Sequence, residues 1–148
     1  MTPFNHRDWA ILDSCLRTSG SAFQSMSYRQ YIRPFLQQEL IIARAFRESG
    51  DPAVEFRHLE RAHILGQAST LEHVRVHWLM LMWSVRNRNG LEITGQLVRL
   101  IGAAVLTPMG WIPQGNTGGS NVSPIKPMPI PADLQTAMEE ARGTSRRK

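Results

Sequence analysis

The strongest constraint on the fold is a series of helix start and stop signals along the chain. The segment Ser49-Gly50-Asp51-Pro52 ends one helix with glycine, caps the next with aspartate and places proline at its first position. Gly66 ends that helix, and the capping box Ser69-Thr70-Leu71-Glu72 begins another, which stops at Asn89-Gly90. No segment alternates apolar and polar residues with period two. The sequence therefore predicts an all-α fold.

These signals predict a small bundle of about five helices. Pro34 suits the first position of the first helix, and the expected ranges are 34–48, 52–65, 70–89, 91–106 and 132–142. We assign residues 31–142 to a single helical domain. The remaining residues are an N-terminal extension (1–30), with a short helix at 7–17 and a polar connector at 18–27, and a basic tail (143–148).

The stretch 107–131 differs from the helices around it. It holds six of the nine prolines and four of the eleven glycines, together with several apolar residues such as Trp111 and Ile130. Apolar side chains cost free energy when they stay in water. We therefore expect an ordered loop packed over the helices, and long ordered loops in small domains are usually functional.

Composition excludes several classes of protein. The chain has 148 residues, of which 42% are apolar, and no stretch long enough to span a bilayer lacks charge. A single cysteine, Cys15, and the polar residues that follow Met1 predict a cytoplasmic protein without disulfides. The net charge is +5, but the tail Arg146-Arg147-Lys148 supplies three of these charges. Nucleic-acid binding is therefore disfavoured.

Four of the five histidines lie on two consecutive predicted helices: His58 and His63 on the first, His73 and His77 on the second. The last two are four residues apart and share a helix face, as do Glu60 and His63, which are three apart. Because a short turn joins the helices, they are expected to pack antiparallel. The four histidines could then bind a divalent metal, zinc or iron rather than copper.

Glu39 is the candidate acid from a third helix. Its neighbours at helical spacing are apolar, so its carboxylate should point into the core, where an arginine, a histidine or a metal must neutralise it. Glu39 and Glu60 are therefore candidates for metal ligand or general base. Two alternatives remain. One is a metal-free acid–base site of histidine and glutamate, and the other is purely structural, with hydrogen-bonded core histidines and Glu39 paired to an arginine.

The glycine-rich segment Gly115–Gly119 is the candidate substrate-binding or cofactor-binding part of the loop. Its backbone N–H groups, at Asn116, Thr117, Gly118 and Gly119, could face an anion, with Trp111 as an apolar wall. The segment lacks the lysine and the strand context of nucleotide-binding loops. We interpret it as a lid over the helical site; a well-packed structural loop is the alternative.

Several motifs resemble an uncharacterised bacterial family, domain of unknown function 3703, over about residues 34–134. They are Glu39-Leu40 with Ala43, Gly50-Asp51-Pro52, His58-Leu59-Glu60-Arg61-Ala62-His63, Leu65-Gly66-Gln67, His73-Val74-Arg75-Val76-His77-Trp78, Gly95-Gln96, the run 110–123 and Met128-Pro129-Ile130-Pro131. The resemblance implies no activity, but it implies that the histidines and the loop form one module. A weaker likeness to one tetratricopeptide repeat rests on Ala43, Phe46, Gly50, Leu59 and Ala62.

Three functional hypotheses follow. The first is a metal-dependent protein, expected to be an enzyme acting on a small molecule between helices 34–48, 52–65 and 70–89. The second is a non-catalytic metal-handling protein with the same ligands. The third is a tetratricopeptide-like interaction module in which the histidines only pack. The run 77–83 is apolar on nearly all sides, so either the loop or a second subunit in a homodimer should cover it.

Overall fold

A computed structural model describes the backbone of residues 20–146 and the side chains of residues 28–143. It contains five helices, which we number α1 (Gly20–Ser49), α2 (Pro52–Gly66), α3 (Thr70–Arg86), α4 (Gly90–Leu106) and α5 (Ala132–Arg146). Residues 20–146 include no strand, which confirms the all-α prediction. The helix predicted at 7–17 and the end of the basic tail lie outside the described residues.

The helices pack in chain order, each against the next from α1 to α4, and α5 returns to pack on α1 and α2. Their inner faces form one apolar core of side chains from α1, α2, α3 and α5, among them Ile32, Leu36, Leu65, Val76 and Met80. The histidine-bearing helices, α2 and α3, are thus direct neighbours. No helix in the described part of the chain is long and apolar enough to cross a membrane.

The helix α1 begins well before the predicted start at Pro34, so the connector predicted at 18–27 is wrong for its described residues. Proline in a helix interior removes a hydrogen bond and disfavours the helix. Here Pro34 is on the exposed face, whereas Ile32 and Leu36 on the same helix are fully buried. Burial of these side chains, with Tyr31 packed against the same core, outweighs the local preference against helix.

The predicted cap at Asp51 is confirmed, and a second cap forms at Asn89, a residue predicted only to end the preceding helix. The Asp51 carboxylate accepts a hydrogen bond from the Val54 N–H (3.0 Å), and the Asn89 side chain accepts one from the Glu92 N–H (3.1 Å). The Ser69 side chain makes no cap hydrogen bond, so the predicted capping box does not form. Its glutamate, Glu72, is buried and accepts instead from the Arg29 guanidinium of α1 (3.1 Å).

The segment 107–131 contains no helix or strand and is held to the bundle by hydrogen bonds. The Gln67 side chain, directly after α2, accepts from the Gly115 N–H (2.9 Å), and the Arg99 guanidinium on α4 donates to the Gly119 carbonyl (2.9 Å). Hydrogen bonds therefore hold the loop to the bundle more, and apolar contacts less, than the sequence predicts. Trp111 is 71% exposed and Ile125 is 79% exposed, whereas Ile130 packs on the core.

Candidate metal centre

Three histidine side chains meet in the interior between α2 and α3. The Nε2 atom of His63 lies 2.9 Å from Nε2 of His73 and 3.1 Å from Nε2 of His77, and the last two atoms are 3.2 Å apart. All three side chains are buried. The helical spacing explains the arrangement, because His73 and His77 are one turn apart on α3 and His63 faces them from α2. We call these residues the histidine triad.

The opposite ring nitrogen of each histidine has its own hydrogen-bond partner. His63 Nδ1 is 2.8 Å from the backbone carbonyl oxygen of Asn116, and His77 Nδ1 is 2.7 Å from Oε1 of Gln96. His73 Nδ1 lies 2.7 Å from the Thr107 hydroxyl. These partners come from α4, from the residue after it and from the loop, so three parts of the fold orient the triad.

These hydrogen-bond partners determine which ring nitrogen carries the proton in His63 and in His77. A carbonyl oxygen only accepts, so His63 must donate from Nδ1. The Gln96 amide nitrogen donates to the Glu92 carboxylate (2.6 Å) and to the Gly118 carbonyl (2.8 Å), which leaves its oxygen as the acceptor for His77 Nδ1–H. In the neutral rings, Nε2 of His63 and of His77 therefore both present lone pairs, although they lie only 3.1 Å apart.

Burial keeps the triad neutral. It lowers the pKa of His73 to about 3 and that of His77 to about 4, and it lowers the pKa of His63 well below its usual range. The neighbouring imidazoles lower the pKa values of His63 and His73 further, and the Arg99 guanidinium lowers all three. A second proton on any of the three rings is therefore disfavoured at neutral pH. The neutral His73 ring carries its one proton on Nδ1 or on Nε2, because the Thr107 hydroxyl can either accept or donate.

The donor set fits a divalent metal ion. Zinc binds imidazole nitrogens at about 2.0–2.1 Å, which in a tetrahedral site puts the nitrogens about 3.3 Å from one another. The Nε2 separations of 2.9, 3.1 and 3.2 Å are within a few tenths of that distance. Hydrogen bonds at the opposite nitrogens are the usual means of fixing the orientation of metal-binding histidines. Among the described residues, this is the group of His, Cys, Asp and Glu whose geometry could hold an ion.

Glu60 lies beside the triad, one helical turn before His63 on α2. Gly118 and Gly119 pack over the two residues: a Cβ at Gly118 would be 2.8 Å from the His63 ring, and one at Gly119 would be 3.0 Å from Oε1 of Glu60. Burial raises the pKa of Glu60, and the nearby Glu92 carboxylate raises it further against the effect of the Thr117 hydroxyl. Glu60 is therefore suited to exchange a proton closer to neutral pH than an exposed glutamate.

Glu39 and His58 belong to a different cluster. The Glu39 carboxylate accepts from the Arg61 guanidinium (2.9 and 3.0 Å) and from Nδ1 of His58 (2.7 Å), and the His58 ring stacks on Phe46. Neither residue is part of the triad. The expectation that Glu39 needs a charged partner holds, but this partner is an arginine with a histidine. The predicted convergence of Glu39 and His58 on the other histidines is corrected accordingly.

The loop residues predicted to bind a ligand have mixed placements. Asn116, Gly118 and Gly119 are buried and Thr117 is partly buried, all close to the triad or Glu60, as a lid would be. The Asn116 side chain holds the loop itself, since its amide donates to the Ser123 and Lys126 carbonyls (both 2.8 Å). Trp111 forms no apolar wall, because its side chain is exposed to solvent.

Sequence reasoning missed Gln96 and Thr107, which orient two of the three histidines. A signal was present for Gln96, because it is an uncharged polar residue on a mostly apolar helix and part of the Gly95-Gln96 motif. In the structure its side chain is fully buried. Thr107 directly follows the last residue of α4, and a threonine at this position does not by itself indicate a buried partner. Only the fold places its hydroxyl beside the ring of His73.

The apoprotein should lose stability as the pH falls from about 6.5, the usual histidine pKa, towards 5. The unfolded chain binds protons in this range while the folded triad, with its lowered pKa values, does not. The free energy of unfolding should fall by about 1.4 kcal/mol per pH unit for each such histidine. Urea denaturation in the presence of a chelator measures this slope. It should be smaller in His77→Gln, and a flat profile in the parent protein would contradict the prediction.

Comparison with known proteins identifies a family but no function. Residues 30–138 match the family model described as a protein of unknown function, DUF3703. No curated protein and no solved structure shows significant similarity to the chain. The matched range includes the triad, Glu60 and the loop that packs over them.

Proposed function

The chain belongs to the DUF3703 family, and from the chemistry of its buried histidines we propose that it is a metal-dependent enzyme. The triad holds the ion through three Nε2 atoms, with zinc the best fit to an all-imidazole set and iron the next candidate. One observation carries the proposal: three neutral imidazoles direct their Nε2 atoms at a common point, although at least two of them present lone pairs there. In the metal-free protein only the His73 ring can place a proton between the Nε2 atoms, whereas a cation at that point satisfies all three rings at once.

The number of ligands favours catalysis over a purely structural metal. Structural zinc sites are closed by four protein ligands, whereas catalytic sites have three and leave one position for water or substrate. Among the described residues, the group of side chains whose geometry suits an ion consists of three histidines. When bound, the metal would supply Lewis-acid activation of a water molecule or a substrate oxygen.

Glu60 supplies the proton transfer in this proposal. Its carboxylate is partly buried next to Gly119, and burial raises its pKa above that of an exposed glutamate, which favours its use in proton transfer. Arg99 lies on the same side, and its guanidinium, bonded to the Gly119 carbonyl, adds positive charge near the site. A hydrolytic or hydration reaction on a small oxygen-containing substrate uses this set of groups.

Elemental analysis of the full chain, purified without an affinity tag, tests metal binding. We expect about one zinc or iron per chain after dialysis, with the metal retained against a weak chelator. Reconstitution of the stripped protein with Zn²⁺ should raise its melting temperature, because a ligand that binds only the folded state stabilises it. A metal content near zero, with no thermal shift on adding Zn²⁺, would rule out the metal-dependent function.

Glu60→Gln should retain the metal and lose turnover. The amide preserves size but cannot accept a proton, and general acid–base catalysis contributes typically about 10²–10⁴-fold to rate. Hydrolysis of 4-nitrophenyl acetate by the zinc-loaded protein measures the effect. Glu48→Gln is the control, because Glu48 is an exposed residue paired with Arg44 on α1. Equal rates in the parent and Glu60→Gln would remove Glu60 from the mechanism.

A non-catalytic metal-handling function is the second candidate, and the burial of the triad favours it. The three histidines are only 3–8% exposed, which restricts the access of a substrate. Addition of azide to the cobalt-loaded protein distinguishes the two functions. A change in the visible spectrum shows an open coordination position, as an enzyme requires, and an unchanged spectrum indicates a closed metal-handling site.

A further inference from the structure

The outer face of α4 carries the largest group of exposed apolar side chains in the described part of the chain. At 39–84% exposure they are Leu91, Leu97, Val98, Ile101, Val105 and Leu106, and the chain after the helix adds Met109 and Trp111. We call this set the α4 apolar face. Contiguous apolar surface of this extent on a soluble domain marks an interaction site.

The α4 apolar face lies on the opposite side of the helix from Gln96, whose side chain orients the triad. Glu92, Gln96 and Ala103 are buried against the bundle. The two charged residues of α4 also face inward: the Glu92 carboxylate accepts from the Ser120 N–H (3.0 Å), and Arg99 donates to the Gly119 carbonyl. The outer face therefore carries no charge from α4, and none of the side chains described at 28–143 covers it.

The spacing of these residues suits contact with another helix. Leu91, Val98 and Val105 recur every seven residues, with Thr94 and Ile101 in between, which is the a and d pattern of helices that pack along their length. Gly102 lies beside this stripe, and a Cβ there would meet nothing within 4 Å. A second helix can approach closely at that position.

We propose that a second copy of this chain covers the α4 apolar face, with α4 packed on α4 about a two-fold axis. The six α4 side chains expose on the order of 700 Å², close to the about 800 Å² per partner of a standard interface. An uncharged face pairs with itself without like-charge repulsion, as an isologous contact requires. A membrane surface fits less well, because interfacial helices carry lysine or arginine beside the apolar stripe.

Sedimentation equilibrium of the full chain tests the proposal, with one variant and a matched control. The parent protein should have twice the 16.8 kDa mass of the chain. Ile101→Glu places a charge at the centre of the interface and should raise the dissociation constant by at least about 100-fold. Ile41→Glu makes the same change on α1, at 68% exposure against 69% for Ile101, and should leave the dimer intact.

Several outcomes would overturn the proposal. If the parent protein is monomeric at about 100 μM, the proposed interface does not form. Residues 1–19 or another protein would then have to cover the face. A dimer that survives Ile101→Glu, or that dissociates equally in Ile41→Glu, uses a different surface. If Ile101→Glu loses its helical circular dichroism, Val98→Thr with Val105→Thr gives the milder disruption, and an unchanged dissociation constant in that variant rejects the α4 contact.

Discussion

His63→Ala is expected to abolish stoichiometric metal binding while leaving the helical fold in place. His63 is the α2 member of the triad, and its removal leaves two ligands on one turn of α3. Loss of an outer-shell partner alone costs about 10–100-fold in metal affinity, so loss of a ligand should cost more. Competition with a chromophoric chelator measures the affinity, and elemental analysis measures the metal that remains.

His58→Ala is the matched control for this experiment. His58 lies on the same helix and is also hydrogen-bonded, but to Glu39 rather than to the triad. It should retain the metal, whereas His73→Ala and His77→Ala should lose it as His63→Ala does. If His58→Ala loses metal equally, or if His63→Ala keeps it, then the ion is not held where the three Nε2 atoms meet.

The helices could be predicted because their ends are set by local chemistry. Asp51 and Asn89 cap their helices with their own side chains, so the sequence around them is enough. The start of α1 could not be predicted in this way. Its first residues are small and polar, and the helix continues through Pro34 because Ile32 and Leu36 bury completely against helices that come later in the chain. Tertiary burial overrides local propensity there.

The site was predictable where it depended on helix periodicity. His73 and His77 must share a face of α3, and the short turn before it brings α2 alongside. Which residues of α2 belong to the site depended on how this helix is rotated about its own axis. His58 and Arg61 are three residues apart and face Glu39 on α1, whereas Glu60 and His63 face the loop and α3. Periodicity separates these two faces but does not say which neighbour each one meets.

The hydrogen bonds that orient the triad show why the loop belongs to the site. The Asn116 carbonyl accepts from His63, and the Gly118 carbonyl accepts from Gln96, which in turn orients His77. Two of the three imidazoles are thus held by the backbone of residues 116–118, directly or through one side chain. The sequence does not show which backbone carbonyls accept these hydrogen bonds. The apolar residues and glycines of the segment indicated that the loop packs on the helices, but not which side chains it contacts.

Gly118→Ala should destabilise the protein and weaken the metal centre together. Gly118 has a φ of +80° and a Cβ there would lie 2.8 Å from the His63 ring. The left-handed backbone costs about 1–2 kcal/mol for a non-glycine residue, and overpacking in a core costs typically about 1–3 kcal/mol more. The His63 ring must also shift from its present position relative to His73 and His77, so the affinity for Zn²⁺ should fall together with the free energy of unfolding.

Gly50→Ala separates the two contributions, because Gly50 has the same φ of +80° but nothing within 4 Å of its Cβ position. It should show the backbone cost alone, about 1–2 kcal/mol, with unchanged metal affinity. Urea denaturation of the two metal-free variants, with a chelator present, gives the difference, which is the steric cost of the contact with His63, and Zn²⁺ affinity is measured separately. If the two variants lose equal stability and both keep full affinity, Gly118 does not constrain the ring, and the loop is not part of the metal centre.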